Sequence, residues 1–223
     1  MNAPLKPLGE TGFYGTDTPR ILRTPRPAPL RVLVGLFLIT VIGALLGIGS
    51  AYVIIEAERP FNAVEIGPWE AYPLAGTKDA DPYSVAIYTR GAIIPLANGE
   101  GLALTARTDS ADSILDPSCT YRISGQTPTA RLWTLTATDR HGRLFETLPG
   151  RTFLTSRGLL RKPDSSFDII ASRSAQPGNW LPLPADPQSV EGLYLTLRLY
   201  DAPVTTGAAI EGVSMPSIRI LGC

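Results

Sequence analysis

The hydrophobic pattern changes character along the chain, and each change predicts a different kind of element. From Val32 to Ile55 the sequence VLVGLFLITVIGALLGIGSAYVII contains no charged residue. As a helix rising about 1.5 Å per residue it would reach roughly 36 Å, more than a hydrocarbon core about 30 Å thick requires. A run that is apolar on every side has no polar face to turn to water, so residues 32–55 are predicted to span a membrane. A cleaved signal peptide would have an apolar region of only about 7–15 residues close to its start. Here the run begins well into the chain, which predicts an uncleaved signal anchor, although Ser50 and Ala51 offer small residues at its end.

Beyond the span the pattern becomes short and mixed. Residues 56–79 are predicted as a stalk with one short strand at Val64–Ile66 and an irregular stretch carrying Trp69 and Tyr72. A helix follows in DPYSVAIYTRGAIIPL. Asp81 is placed to cap it, Pro82 suits its first turn, and Val85, Ile87 and Tyr88 are expected to face a core before Gly91 and Pro95 end it. From there the period is two. EGLALTARTD, CTYRISG, ARLWTLTATD, RLFETL, SFDIIASR, GLYLTLRLYD and SIRILGC are short, rich in Leu, Ile, Thr and aromatic residues, and separated by turn clusters such as SADS, DRHG, KPDSS and AQPGN. Such spacing predicts a mainly β domain over residues 80–223, an antiparallel β-sandwich or jelly roll with one short helix. In LWTLTATD, Trp133, Leu135 and Ala137 form a packed face, and Leu132, Thr134, Thr136 and Thr138 a solvated one.

Charge adds orientation. Arg20, Arg23, Arg26 and Arg31 precede the span, whereas Arg59 is the one basic residue close behind it, among Glu56, Glu58 and Glu65. The positive-inside rule then holds residues 1–31, a proline-rich stretch predicted to be a disordered tail, in the cytoplasm and exports the rest. Of 20 basic residues only Lys6, Lys78 and Lys162 are lysines. That bias suggests a GC-rich bacterial genome, an inner-membrane location and a periplasmic domain. Past the span acidic residues slightly outnumber basic ones, so no basic field for nucleic acid is present.

The order of DPYSVAIYTRGAIIPL, CTYRISGQTPTARLWTLTATD, PGNWLPLP, LYLTLRLYD and MPSIRILGC resembles the domain of unknown function family 1214, in a short membrane-anchored alphaproteobacterial form, over roughly residues 67–223. The resemblance implies a jelly-roll sandwich and no established activity, and no cofactor is expected. It also implies pairing with the sister family 1254. This chain carries no such portion, so that partner would be a separate polypeptide.

Candidate chemistry is sparse. In QPGNWLPLP, Pro177 and Gly178 are expected to end a hairpin, with Asn179 as a turn residue fixing Trp180. Leu181-Pro182-Leu183-Pro184 is expected along an edge, since prolines remove ladder donors. Trp180 reads either as a plug sealing the sandwich or, with Asn179 and Trp69, as a contact for a sugar or a protein partner. His141 is the single histidine and sits in a turn-like DRHG, and jelly-roll metal chemistry would want two or three, so no metal site is predicted. Asp109 with Asp112, and Asp164 with Asp168, read as turn caps; as carboxylate pairs they could also bind Ca²⁺ or serve a glycosidase. Two readings stand for Cys119 and Cys223: a disulfide formed in an oxidising compartment, or a buried Cys119 with Cys223 left as a free or intermolecular thiol. The expected role is a structural or interaction module of the cell envelope, with a periplasmic carbohydrate-binding or carbohydrate-processing domain as the alternative.

Within the span, Gly43, Gly47 and Ala51 recur every four residues and form a stripe on which a second helix, from another copy in a homodimer or from a partner, can pack closely within the lipid bilayer; glycine is also common in unpaired membrane helices, so the alternative is an unpaired span. On the packed reading Gly47→Ile weakens the dimer signal in a membrane two-hybrid assay while Leu45→Ile leaves it unchanged; identical signals from both variants and wild type would reduce the helix to an anchor.

Overall fold

The computed structural model describes residues 29–56, 63–91, 94–96, 99–147, 151–202 and 213–223. The tail expected over residues 1–31 lies outside these, apart from its last three positions. Those belong to helix α1, Pro29–Glu56, which opens on a proline at the position where a missing N–H costs nothing. At 28 residues it is long and apolar enough to cross a membrane.

Among the described residues the β-rich unit has ten strands in two sheets. One holds β1 (Val64–Ile66), β2 (Trp69–Ala71), β3 (Gly101–Ala106), β9 (Tyr194–Tyr200), β5 (Leu132–Thr138) and β6 (Phe153–Thr155), in that order and antiparallel throughout. The other runs β10 (Ser217–Gly222), β4 (Thr120–Gly125), β7 (Phe167–Ser172) and β8 (Asn179–Pro182). Period-two burial fixes which face turns inward. From the larger sheet Trp69, Leu102, Leu104, Leu195, Leu197, Trp133 and Leu135 point in, and from the smaller sheet Tyr121, Ile123, Phe167, Ile169 and Leu181 meet them in one core. The Trp133 and Phe167 rings pack across the gap with centroids 5.2 Å apart.

Several expectations change. Val64–Ala71 is no stalk: β1 and β2 form a hairpin that extends the larger sheet, with Trp69 opposite Ala106, so the β unit begins well before residue 80. The described part of RLFETL, residues 143–147, is not a strand. After the turn at Asp139 the described residues make one bridge, Thr138 to Leu144, Phe145 then drops into the core, and β5 pairs next with β6. The hairpin expected at Pro177–Gly178 is instead a parallel connection. β8 starts level with Ile169, three rungs back along β7, and six residues at about 3.3 Å each cover that return. As expected of two prolines, β8 is an edge strand.

Helix α2, Pro82–Arg90, is capped by Asp81, whose carboxylate accepts from the amides of Tyr83 and Ser84. Its packing differs from expectation: Val85 is 52% exposed, and Ser84 is the buried residue, held by a hydroxyl bond to Asp81. The threonine face of β5 is not solvated either. Thr136 and Thr138 are buried, on a face they share with Arg198 and Tyr194.

Strand β10 arrives from the far end of the chain and is tied in four ways. It pairs with β4; Ser110 donates its amide to Ile218 O at 2.8 Å and accepts from Ile218 N at 2.9 Å; Trp69 Nε1 donates to Pro216 O at 2.7 Å; and Cys223 forms a disulfide with Cys119. The bridge spans 104 residues, and closing a loop of about that length is worth roughly 4.7 kcal/mol in the chain-entropy model. Replacing both cysteines by serine should therefore lower unfolding stability in urea by about 2–5 kcal/mol, and non-reducing mass spectrometry of the wild type should find one internal cross-link and no free thiol. Equal stability of variant and wild type would remove the bridge from the forces that hold β10.

Candidate functional site

Residues singled out as ligand contacts turn out to be spent on the fold. Trp69 is fully buried in β2, on the larger sheet, with its indole N–H on Pro216. Trp180 lies on the smaller sheet, 9% exposed, and its Nε1 donates to Ser172 O at 3.0 Å. Asn179 Nδ2 donates to Leu160 O and Asp168 O while its Oδ1 accepts from Leu160 N, all within 2.8–2.9 Å. Two of these bonds clamp Leu160 to β8 and the third ties β8 to β7, which explains an asparagine at that position. The two indoles belong to different sheets, so the sugar platform expected of Trp69 and Trp180 is corrected: neither presents an open ring.

The turn carboxylates have the same fate. Asp109 accepts from the amides of Ala111 and Ser113, and Asp139 from those of His141 and Arg143, in two turns built alike. Each closes with the amide four residues later in close reach and a left-handed residue at the same point, Asp112 at φ 61° and Gly142 at φ 76°. His141 is an exposed member of the second turn, its Nε2 3.3 Å from Glu191 Oε2. Asp164 accepts from Ser166, whose hydroxyl holds the carboxyl below its usual range, and Asp168 pairs with Lys162 at 2.9 Å. A glycosidase acid needs a raised pKa, the opposite displacement.

A different constellation emerges on the outer face of the larger sheet. Successive rungs place Glu70, Thr105, Thr196 and Thr136 in one row, with Ala103, Arg198 and Thr134 in the next. Over them stands a wall made by Tyr72, Ile87, Tyr88 and the Pro95–Leu96 segment, and between wall and sheet is a cleft of about 640 Å³. Glu70 is buried and takes two partners, Arg107 Nη1 at 3.3 Å and the Tyr72 hydroxyl. The Arg107 guanidinium also lies 5.3 Å above the centre of the Tyr194 ring. Burial, reinforced by the hydrogen bond to Glu70, pushes the Tyr72 phenol far above its ordinary pKa; burial also raises that of Tyr88 from α2. Both phenols are therefore neutral donors at physiological pH.

Sequence reasoning missed this group, because Glu70 and Tyr72, Tyr88, Arg107 and Arg198 come from four separate segments. The legible hint was Glu70 itself, a charge inside the apolar stretch GPWEAYPLA.

Raised phenol pKa values couple the cluster to alkaline stability. Above pH ~10 an unfolded chain releases phenolic protons that the folded chain keeps, so stability is complete below that pH and falls as pH climbs. Tyr72→Phe should flatten this alkaline decline in thermal melts from pH 8 to 11, while costing about 1 kcal/mol at neutral pH for the lost hydrogen bond. An unchanged alkaline slope would detach Tyr72 from the effect.

No curated protein matches the chain. Among solved structures, the VPA0106 protein from Vibrio parahaemolyticus aligns with a TM-score of 0.50 and 22% identity over 64% of this chain and 36% of that one. An uncharacterized protein from Burkholderia cenocepacia aligns with a TM-score of 0.39 and 17% identity, over 79% of this chain and 41% of that one. This chain thus spans well under half the length of either. At such identity the Vibrio likeness speaks to the fold alone. The stretch that carries strands β3 to β9, residues 100–204, matches the family model described as Protein of unknown function (DUF1214).

Proposed function

We propose that the chain is a membrane-anchored interaction module on the periplasmic side of a bacterial inner membrane, acting by binding rather than by a reaction of its own. The observation that carries this reading is the Cys119–Cys223 bridge in a unit that follows an apolar helix of 28 residues. Disulfides persist in oxidising compartments, and arginines ahead of the helix keep the N-terminus in the cytoplasm. Binding is favoured over catalysis by the state of the cleft's polar groups. Glu70 is committed to Arg107 and Tyr72, and both phenols are held protonated, so none of these three is poised as a base. A polypeptide of the sister family 1254 is the expected protein partner, supplied in trans.

Reporter fusions test the topology. Alkaline phosphatase joined after Cys223 should be active and the same enzyme joined ahead of Arg20 inactive. The reverse pattern would put the bridge in a reducing compartment and end the proposal.

A further inference from the structure

Arg198 sits on β9, the central strand of the larger sheet, flanked by Ala103 of β3 and Thr134 of β5. Its guanidinium lines the cleft floor together with Thr105, Thr196 and Tyr194. Nη1 donates to Thr136 Oγ1 at 3.3 Å, a long bond to a neutral hydroxyl. Other cations on the cleft wall are matched: Arg107 by Glu70 at 3.3 Å and Arg140 by Glu191 at 2.5 Å. Arg198 has no carboxylate counterpart among the described residues.

The chemistry of that arrangement is specific. A guanidinium stays charged at any pH a protein survives and offers five donors in a planar fork, which carboxylate and phosphate oxygens match two at a time. Half-buried on a sheet floor, it has given up part of its hydration, and a single neutral acceptor returns little of that loss. An incoming anion would return more. The opposite wall is of another kind, built from Tyr88, Ile87, Pro95 and Leu96, which suits an apolar or aromatic body and leaves its charged end to the floor.

We infer that the cleft binds a small organic oxyanion, a carboxylate or phosphate on an apolar or aromatic body, with Arg198 gripping the anionic group. The inference rests on the reading of this unit as a binding module and adds the class of its ligand. It concerns the outer face of the larger sheet, not the indoles.

Three probes test it on the full chain in a neutral detergent at low ionic strength: benzoate, its uncharged analogue benzamide, and inorganic phosphate, each titrated by calorimetry. Benzoate or phosphate should bind saturably, and which of them binds tells a carboxylate ligand from a phosphate one. Benzamide should bind at least about tenfold more weakly than the better anion. Arg198→Gln should weaken the anion at least about tenfold. Arg122→Gln, which removes an exposed arginine from the smaller sheet, should change nothing. If Arg198→Gln does not fold, Arg198→Lys decides: it keeps the charge but loses the fork, so binding should weaken rather than persist unchanged. Benzamide binding as well as benzoate would overturn the anion site while leaving a binding cleft in place. Loss of anion affinity in Arg122→Gln equal to that in Arg198→Gln would reduce the effect to net charge. With no saturable binding by any probe the site falls, and the topology still stands or falls on the reporter fusions.

Discussion

The last strand of the chain has to be held in place, and much of the structure follows from how that is done. β10 pairs with the β4 edge of the smaller sheet and sets Ile218 opposite Ile123. Its anchors come from positions remote in sequence: the Trp69 bond spans 147 residues, the Ser110 bond 108 and the disulfide 104. Long-range contacts of this kind cost loop-closure entropy before they return anything, and a covalent link moves that cost into the unfolded state. The anchors also account for otherwise odd residues. Trp69 is an indole rather than a phenylalanine because its N–H satisfies the Pro216 carbonyl in a buried place where no water reaches.

With β10 and the core settled, the larger sheet is left with an outer face richer in polar groups than a packed surface usually is. Threonines, Arg198 and Glu70 occupy it because the rungs of β2, β3, β9 and β5 alternate in and out together. The segment from Tyr72 to Gly91 lies over part of that face, and burial there has a cost that the Glu70 pairings offset. The cleft is what remains where the wall and the sheet do not meet. Its character follows from that origin: a polar floor supplied by a sheet, and an aromatic and aliphatic wall supplied by a helix and its flanks.

The smaller sheet ends differently. Pro182 can close an edge because it lacks the donor that another strand would need, and Asn179 and Trp180 tie β8 down with side-chain bonds to the main chain. Residues that look like ligand contacts in QPGNWLPLP thus serve as edge protection.

What the sequence determined by itself was local. An unbroken apolar run is a helix too hydrophobic for water wherever it sits. Alternation in LWTLTATD and LYLTLRLYD makes strands because the inward positions are all apolar, and Asp81 before Pro82 starts a helix whatever lies beside it. The Asp109 and Asp139 turns were legible for the same reason, since each carboxylate bonds amides within four residues of itself. Only the tertiary structure decided what depends on neighbours far along the chain. It made β2 a strand by giving it β3 to pair with, turned residues 143–147 away from the sheet by sending Phe145 into the core, and made the β7–β8 connection parallel. It also spent both candidate indoles on internal bonds and brought Glu70, Tyr72, Tyr88, Arg107 and Arg198 to one face. The physical reason is that outward positions on a strand carry no pattern of their own: whether a threonine or an arginine there meets water or a cleft is set by what folds over it.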